Sequence, residues 1–308
     1  MSCTARDRGY RGHQALAGCL WCRTPSVVAW RALSDQAVLA AAPPRTHTSS
    51  IRIGLSRGKR PLPISQPRKQ SMGIDRKVAI VTGASRGIGA GLVKGFLEHN
   101  YRVVANARAI DPRASPDVLA VAGDVADPNT AERVVGGALE RFGRIDILVN
   151  NAGIFRSKPF VDYSQADFDT MMGVNVAGFF HLSQRAIKPM VQRGSGHIVT
   201  ITTSLVDQPL LAVPSALAAL SKGGLNAVTR SLAIECAGTG IRVNAVSAGI
   251  IKTPMHPAET HAFFAKLHPM RRMGTVEEVV EAVLYLDAAQ FVTGEILHVD
   301  GGQHAGHS

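Results

Sequence analysis

Residues 78–89 read Val78-Ala79-Ile80-Val81-Thr82-Gly83-Ala84-Ser85-Arg86-Gly87-Ile88-Gly89. The apolar, largely β-branched opening predicts a short strand covered on both faces. Glycines then mark a tight turn, and the run that follows predicts a helix over 87–99. Glycine permits positive φ and lets backbone N–H groups come close to a pyrophosphate, which would rest at the partly positive start of a helix. A glycine pattern alone is only turn punctuation. Following a strand and opening a helix, it predicts a phosphate cradle of Gly83, Ser85, Arg86, Gly87, Ile88 and Gly89.

Downstream, short apolar runs alternate with amphipathic stretches, the pattern of βα repeats on a parallel sheet. Strands are expected at Val78–Val81, Arg102–Ala105, Val118–Ala122, Ile145–Val149, His197–Ile201, Arg242–Val246 and Glu295–Val299. Helices are expected at 87–99, 128–142, 166–192, 215–237 and 276–287. Between Arg108 and Val118, a stretch holding Pro112 and Pro116, there is room only for a loop, so the second crossover helix is missing or very short. The fold class is α/β: a single Rossmann-like, doubly wound domain whose seven-stranded parallel sheet has helices on both faces. No internal repeat is apparent.

The end of the second strand bears on the choice of nucleotide. An acid about 20 residues beyond the glycine turn binds the adenosine ribose in an NAD site. Here the strand ends Val104-Ala105-Asn106-Ala107-Arg108, with no carboxylate until Asp111. Arg86 and Arg108 could instead meet a 2′-phosphate through paired, charge-assisted hydrogen bonds. The expected cofactor is NADP(H), with NAD(H) less favoured.

Further motifs extend the pattern along the chain. Thr82-Gly83-x-x-x-Gly87-x-Gly89 is followed by Asn150-Asn151-Ala152-Gly153, Asn175, Lys222, Arg242-Val243-Asn244-Ala245-Val246, Gly249, Thr253, Val292-Thr293-Gly294 and Val299-Asp300-Gly301-Gly302. In this order they resemble the classical branch of the short-chain dehydrogenase/reductase family over about residues 75–303. The resemblance implies that Asp124 and Val125 hold the adenine and that Asn151, Ala152 and Gly153 line the cofactor. Thr253 and the loop with Ala248, Gly249 and Ile251 would hold the nicotinamide carboxamide. Lys222 would grip the nicotinamide ribose, and Asn175 would fix a water leading from Lys222 to solvent. A hydroxyl after the fifth strand would bond the substrate carbonyl; gapless reading reaches Thr203, whereas typical spacing points to Ser204. Ser204 is preferred and Thr203 stays open.

Two positions depart from the family pattern. Ala248 replaces the usual proline before Gly249, which is expected to loosen that loop. Ala218 replaces the catalytic tyrosine. A Tyr at 218 would share a helical face with Lys222, four residues on, and the cation would draw the phenol's pKa down toward working pH. Tyr101, Tyr163 and Tyr285 lie in segments that point elsewhere. Ser215 and His256 are candidate replacements, each also readable as structural. The segment 254–274, with Pro254, His256, Pro257, His261, Phe263, Phe264 and His268, is expected to cover the substrate.

Two functions compete. One is an NADP(H)-dependent oxidoreductase acting on a small carbonyl or alcohol, with an atypical site lacking the Tyr acid/base. The other is a catalytically impaired NADP(H)-binding pseudoenzyme, a sensor or scaffold. Retention of Lys222, Asn175 and the hydroxyl favours the first.

Across the 308 residues, 45% hydrophobic content and 19% charged residues describe a globular protein, and the net charge of +11 suggests nucleic acid. Its distribution argues otherwise: residues 1–72 hold twelve Lys/Arg against Asp7 and Asp35, leaving residues 73–308 at +1. Residues 1–72 read as a basic leader, separate from the oxidoreductase domain at 73–308. The leader could be a transit peptide, a disordered basic tail, or sequence upstream of a true start at Met72, the last being preferred. Cys19-Leu20-Trp21-Cys22 has no second pair, and Cys236 reads as a small buried residue, so no metal is expected. No apolar run reaches the roughly 18 residues of a membrane span. The expected compartment is the cytoplasm, or the mitochondrial matrix if the leader is a transit peptide. The family resemblance suggests a homodimer or homotetramer through helices 166–192 and 215–237.

Overall fold

Seven strands form one parallel sheet in the order β3-β2-β1-β4-β5-β6-β7. They are β1 (Val78–Thr82), β2 (Arg102–Ala107), β3 (Val118–Ala122), β4 (Ile147–Asn150), β5 (Gly196–Thr203), β6 (Ile241–Ala248) and β7 (Ile296–Val299). The computed structural model describes residues 76–111 and 115–306. The expectations for residues 1–72, including Cys19, Cys22 and a start at Met72, fall on residues outside those described. β1 is buried at every position, as a central parallel strand covered on both faces must be. Its register pairs Val81 with Ala105 on one side and with Val149 on the other. The order reverses between β1 and β4, so the ends of these two strands open a crevice, the usual ligand position in an open α/β sheet.

Helices α1 (Gly87–Glu98), α2 (Pro128–Phe142), α3 (Gln165–Met171), α4 (Gly178–Arg193), α5 (Ala216–Cys236), α6 (His261–Lys266) and α7 (Val276–Ala288) complete the fold. One layer of core places Val134, Ala138, Leu182, Met190, Leu225 and Ala233, from α2, α4 and α5, against one sheet face. The opposite layer packs Leu92 and Phe96 of α1 with Val279, Val283 and Leu286 of α7 on the other. A Cβ at Gly91 would lie 2.2 Å from Val276 Cγ1, and one at Gly95 would lie 2.5 Å from Val280 Cγ1. The glycines thus let α1 and α7 approach closely.

The helix ends follow their local chemistry. Asp127 caps α2 by accepting from Asn129 N, Pro128 occupies its first turn, and Gly143 closes it in the left-handed region. Thr275 and Glu278 make a reciprocal capping box at the start of α7.

Two expectations need adjustment, and one stands. The helix expected at 166–192 is interrupted: a π-helical turn over Met172–Ala177 joins α3 to α4, and it carries Asn175. Among the described residues no helix stands between β2 and β3, in line with the short connection read from the prolines. Ala248 does not loosen its loop. It extends the β6 ladder, opposite Thr203 on β5 and Val299 on β7, because an alanine, unlike proline, keeps its backbone N–H.

Candidate active site

At the C-terminal ends of the strands lies a cavity of about 700 Å³. Its first wall is the turn after β1. Gly83 and Gly87 have φ of +64° and +55°, and a Cβ at Gly89 would stand 2.1 Å from Gly83 O. Only glycine fits there. The Thr82 hydroxyl accepts from the N–H groups of Asn151 (3.0 Å) and Ala152 (2.9 Å), while Asn151 Nδ2 donates to Thr82 O at 2.8 Å. These bonds tie the end of β1 to the end of β4 and hold both loops open as a cradle.

All of the expected cofactor residues line this cavity: Gly83, Ser85, Arg86, Gly87, Ile88, Gly89, Arg108, Asp124, Val125, Asn151, Ala152, Gly153, Lys222, Ala248, Gly249, Ile251 and Thr253. Arg86 and Arg108 are exposed at the rim. At the end of β2 the structure adds a residue that sequence reading left without a role. Asn106 is fully buried, and its Nδ2 donates to Val121 O (3.0 Å) and Gly123 O (3.2 Å). It clamps β2 to the end of β3, where an NAD site would present an acid. Its Oδ1 is buried without a hydrogen-bond partner.

The loop after β6 is set by His268. Ile250 N donates to His268 Nε2 at 3.0 Å, and His268 Nδ1 donates to Phe264 O at 3.0 Å. This fixes the neutral tautomer, and burial lowers the ring's pKa below its usual value. Of the segment 254–274, Pro254, Met255 and His256 reach the cavity; His261, Phe263 and Phe264 do not. The His256 ring stands edge-on to Phe264, 4.9 Å between centroids, and burial with the neighbouring His261 lowers its pKa.

The chemical end is built on α5. Lys222 lines the cavity, and among the described residues its one hydrogen-bond partner is Ile201 O, at 2.7 Å. Gly153 and Asn175 close over the ammonium: a Cβ on Gly153 would lie 3.0 Å from Lys222 Nζ and 3.4 Å from Asn175 Oδ1. With no carboxylate to compensate, desolvation lowers the Lys222 pKa to about 8. Asn175 itself lies just behind the cavity. Its Oδ1 accepts from Ile154 N (2.9 Å), and its Nδ2 donates to Ile154 O (3.1 Å) and Ser221 Oγ (3.1 Å). A small adjoining space of about 10 Å³ touches Asn175, Lys222, Asn150 and Thr200. Asn150 Oδ1 and Thr200 Oγ1 have no partner there.

The two candidate hydroxyls lie in different places. Ser204 is fully buried and does not line the cavity; its Oγ donates to Ala248 O at 3.5 Å. Thr203, at the end of β5, does line it and accepts from Leu205 N at 3.4 Å.

Ala218 faces the cavity one helical turn before Lys222, its other side packed with Met171 and Leu217. Among the described residues no tyrosine lines the cavity. Tyr163 packs beside the Ala218 cluster, but its hydroxyl donates to Arg156 O. Tyr101 donates to buried Asp287, and Tyr285 is exposed. Ser215 also stays outside the cavity. Ile154, Phe155, Leu205 and Met255 give the substrate end an apolar wall that sequence reading did not foresee. Phe155 lies two residues past Asn151-Ala152-Gly153, and that proximity was the available signal.

Comparison with known proteins agrees with this architecture. A family model described as enoyl-(acyl carrier protein) reductase matches residues 83–304. A Streptomyces violaceoruber protein named as a ketoacyl reductase of the granaticin polyketide synthase is 39% identical over 243 residues, covering 74% of this chain and 96% of that protein. The structure of 3-ketoacyl-(acyl-carrier-protein) reductase from Brucella melitensis complexed with NADH is similar at a TM-score of 0.69 and 32% identity, over 74% of this chain and 98% of that one. ElxO with NADP bound is similar at a TM-score of 0.71 and 29% identity, over 75% and 99%.

Proposed function

The chain belongs to the short-chain dehydrogenase/reductase family, and from that premise we propose that it is an NADP(H)-dependent oxidoreductase of a small carbonyl or alcohol substrate, working without the family's tyrosine. The observation that carries the cofactor choice is the rim of the cavity. Arg86 and Arg108 line it, and among the described residues neither guanidinium has a hydrogen-bond or ion-pair partner. Asn106 occupies the end of β2, so no carboxylate there opposes a 2′-phosphate. The glycine cradle that any side chain would fill supports a pyrophosphate at the start of α1.

Bound NADPH would supply a hydride to a carbonyl carbon. The protein's part is binding, orientation and proton supply. Asp124 and Val125 would flank the adenine, with Asn151, Ala152 and Gly153 along the floor. Lys222 would hold the nicotinamide ribose, and Ala248, Gly249, Ile251 and Thr253 the carboxamide. Thr203, rather than Ser204, would bond the substrate oxygen. Lys222 is the proton reservoir, charged at neutral pH and able to release. Asn175 orients the floor through Ile154, and a water bonded to Asn150 Oδ1 and Thr200 Oγ1 would link Lys222 inward. The exposed Phe180, Leu220 and Ile234 on α4 and α5 fit a homodimer or homotetramer built on those helices.

Thermal unfolding with each nucleotide tests the cofactor assignment, because a ligand of the native state raises Tm by mass action. NADPH is expected to protect more than NADH at equal concentration. Equal protection would show that the arginines serve the solvent alone. The pseudoenzyme is favoured by one observation, that no other described tyrosine reaches the cavity. Turnover of NADPH with any member of a carbonyl panel decides against it.

A further inference from the structure

At Ala218 the chemical end of the cavity carries a methyl group where the family pattern has a phenol. The lining there is largely apolar, with Ile154, Phe155, Leu205 and Met255, and its uncharged polar side chains include Thr203 and His256. Beyond it stands a single cation, Lys222, whose ammonium has only a main-chain carbonyl for a partner among the described residues. The other formal charges on the cavity wall, Arg86, Arg108 and Asp124, belong to the turn after β1 and to the ends of β2 and β3. An apolar slot ending in one uncompensated ammonium favours a flat apolar group that carries an acidic hydroxyl.

We propose that the substrate supplies the missing acid: an aryl ketone with a hydroxyl ortho to its carbonyl, the ring lying against Ala218 and Phe155 and the hydroxyl directed to Lys222. This rests on the carbonyl reduction proposed above and names its substrate class. In the balance of the step, the C=O π bond breaks and a C–H bond forms with the hydride from the nicotinamide. An O–H bond forms on the former carbonyl oxygen with the proton of the substrate's hydroxyl. The phenolate left behind takes a proton from Lys222, which recovers one from solvent. Ketone, NADPH and one proton give alcohol and NADP⁺. Ala218 is then a specificity-determining residue, because a larger side chain would occupy the place of the substrate ring. The lowered pKa of Lys222 agrees with a group that donates near neutrality.

The test compares ortho-hydroxyacetophenone, para-hydroxyacetophenone and acetophenone with the full-length protein and NADPH. The ortho compound is expected to give the highest kcat/KM, by at least about tenfold and at most the roughly 10²–10⁴ of a positioned acid. Ala218→Tyr is expected to reduce that ratio toward one by crowding the ring and supplying a phenol of its own. A second measurement needs neither turnover nor a folded variant. The ultraviolet spectrum of the ortho compound is titrated with the cofactor-free protein, where its phenolate is expected to form at lower pH than in solution. A ratio within about twofold, taking the 10²–10⁴ of a positioned acid as the reference, or a spectrum that titrates as in solution overturns the proposal. Turnover of the other two ketones, read in the same assay, separates this failure from loss of the carbonyl-reduction reading, and thermal protection by NADPH separates it from loss of the cofactor reading: turnover and protection both retained mean that only the substrate class is wrong.

Discussion

At Gly89 an added methyl group would sit 2.1 Å from Gly83 O and 2.7 Å from Asn151 Nδ2. Both atoms are held, the first by the turn and the second by its bond to Thr82 O, so neither can retreat as a flexible side chain could. Gly89→Ala is therefore expected to lower stability by about 1–3 kcal/mol and to remove protection by NADPH, read by denaturation with and without nucleotide. Lys222 offers a second residue-scale expectation. Its folded pKa of about 8 lies below the ordinary 10.5 because burial disfavours the charge, and the donor is the charged form. Reduction should be level at neutral pH and fall as pH rises through about 8, with Lys222→Met losing the inflection together with most of the rate. A profile flat to high pH would mean that the proton comes from elsewhere.

Among the elements, α7 is joined to the N-terminal edge of the sheet by a buried polar network. Asp287 accepts from Tyr101, pairs with Lys77 (3.2 Å) and meets His197 Nδ1 at 3.3 Å, while Asn244 Nδ2 donates to His197 Nε2 at 3.0 Å. Arg242 adds a further cation, 3.4 Å from that same ring nitrogen. Desolvation is the first cause that lowers the His197 pKa, from 6.5 to about 4; the Arg242 and Lys77 charges also lower it, against the pull of Asp287. The unfolded imidazole takes up a proton below about 6.5, so between the two values the unfolded chain binds more protons and stability falls as pH drops. The loss is at most about 3 kcal/mol. His197→Gln should flatten urea stability between pH 6.5 and 4; an unchanged slope would place the acid sensitivity in other groups. The strands, the glycine turn and the short β2–β3 connection were legible because burial on both faces and proline leave direct marks in composition. The π-helical turn at Met172–Ala177 was not, since one extra residue in a turn hardly disturbs a pattern that already alternates steps of three and four. Which of Thr203 and Ser204 faces the cavity was hard to read for a related reason. Adjacent residues at a strand end point to opposite sides, so a one-residue error in spacing exchanges cavity for core.

For the whole molecule, the sheet order places β3 and β7 at the two edges and β1 near the centre. The described chain is already anchored at Arg76, which donates to Asn100 O and Tyr101 O and pairs with Asp117. Deletion of residues 1–71 is therefore expected to leave Tm within a few degrees, the scale of about 1 kcal/mol in a domain of this size, and to leave NADPH protection unchanged. Aggregation or a larger drop would assign the leader a share in folding. The division of the cavity wall carries a consequence for descent with modification. The phosphate cradle is made of main-chain atoms pinned by Thr82 and Asn151, where Gly83 and Gly87 hold positive φ and a Cβ at Gly89 would collide with backbone. The substrate end is made of side chains, Phe155, Leu205, Ala218 and Met255, at loop and helix positions where size can change without moving the sheet. Such a molecule can exchange one diet for another by single substitutions while its nucleotide partner stays the same, and in a saturation library the tolerated changes should gather on that one wall.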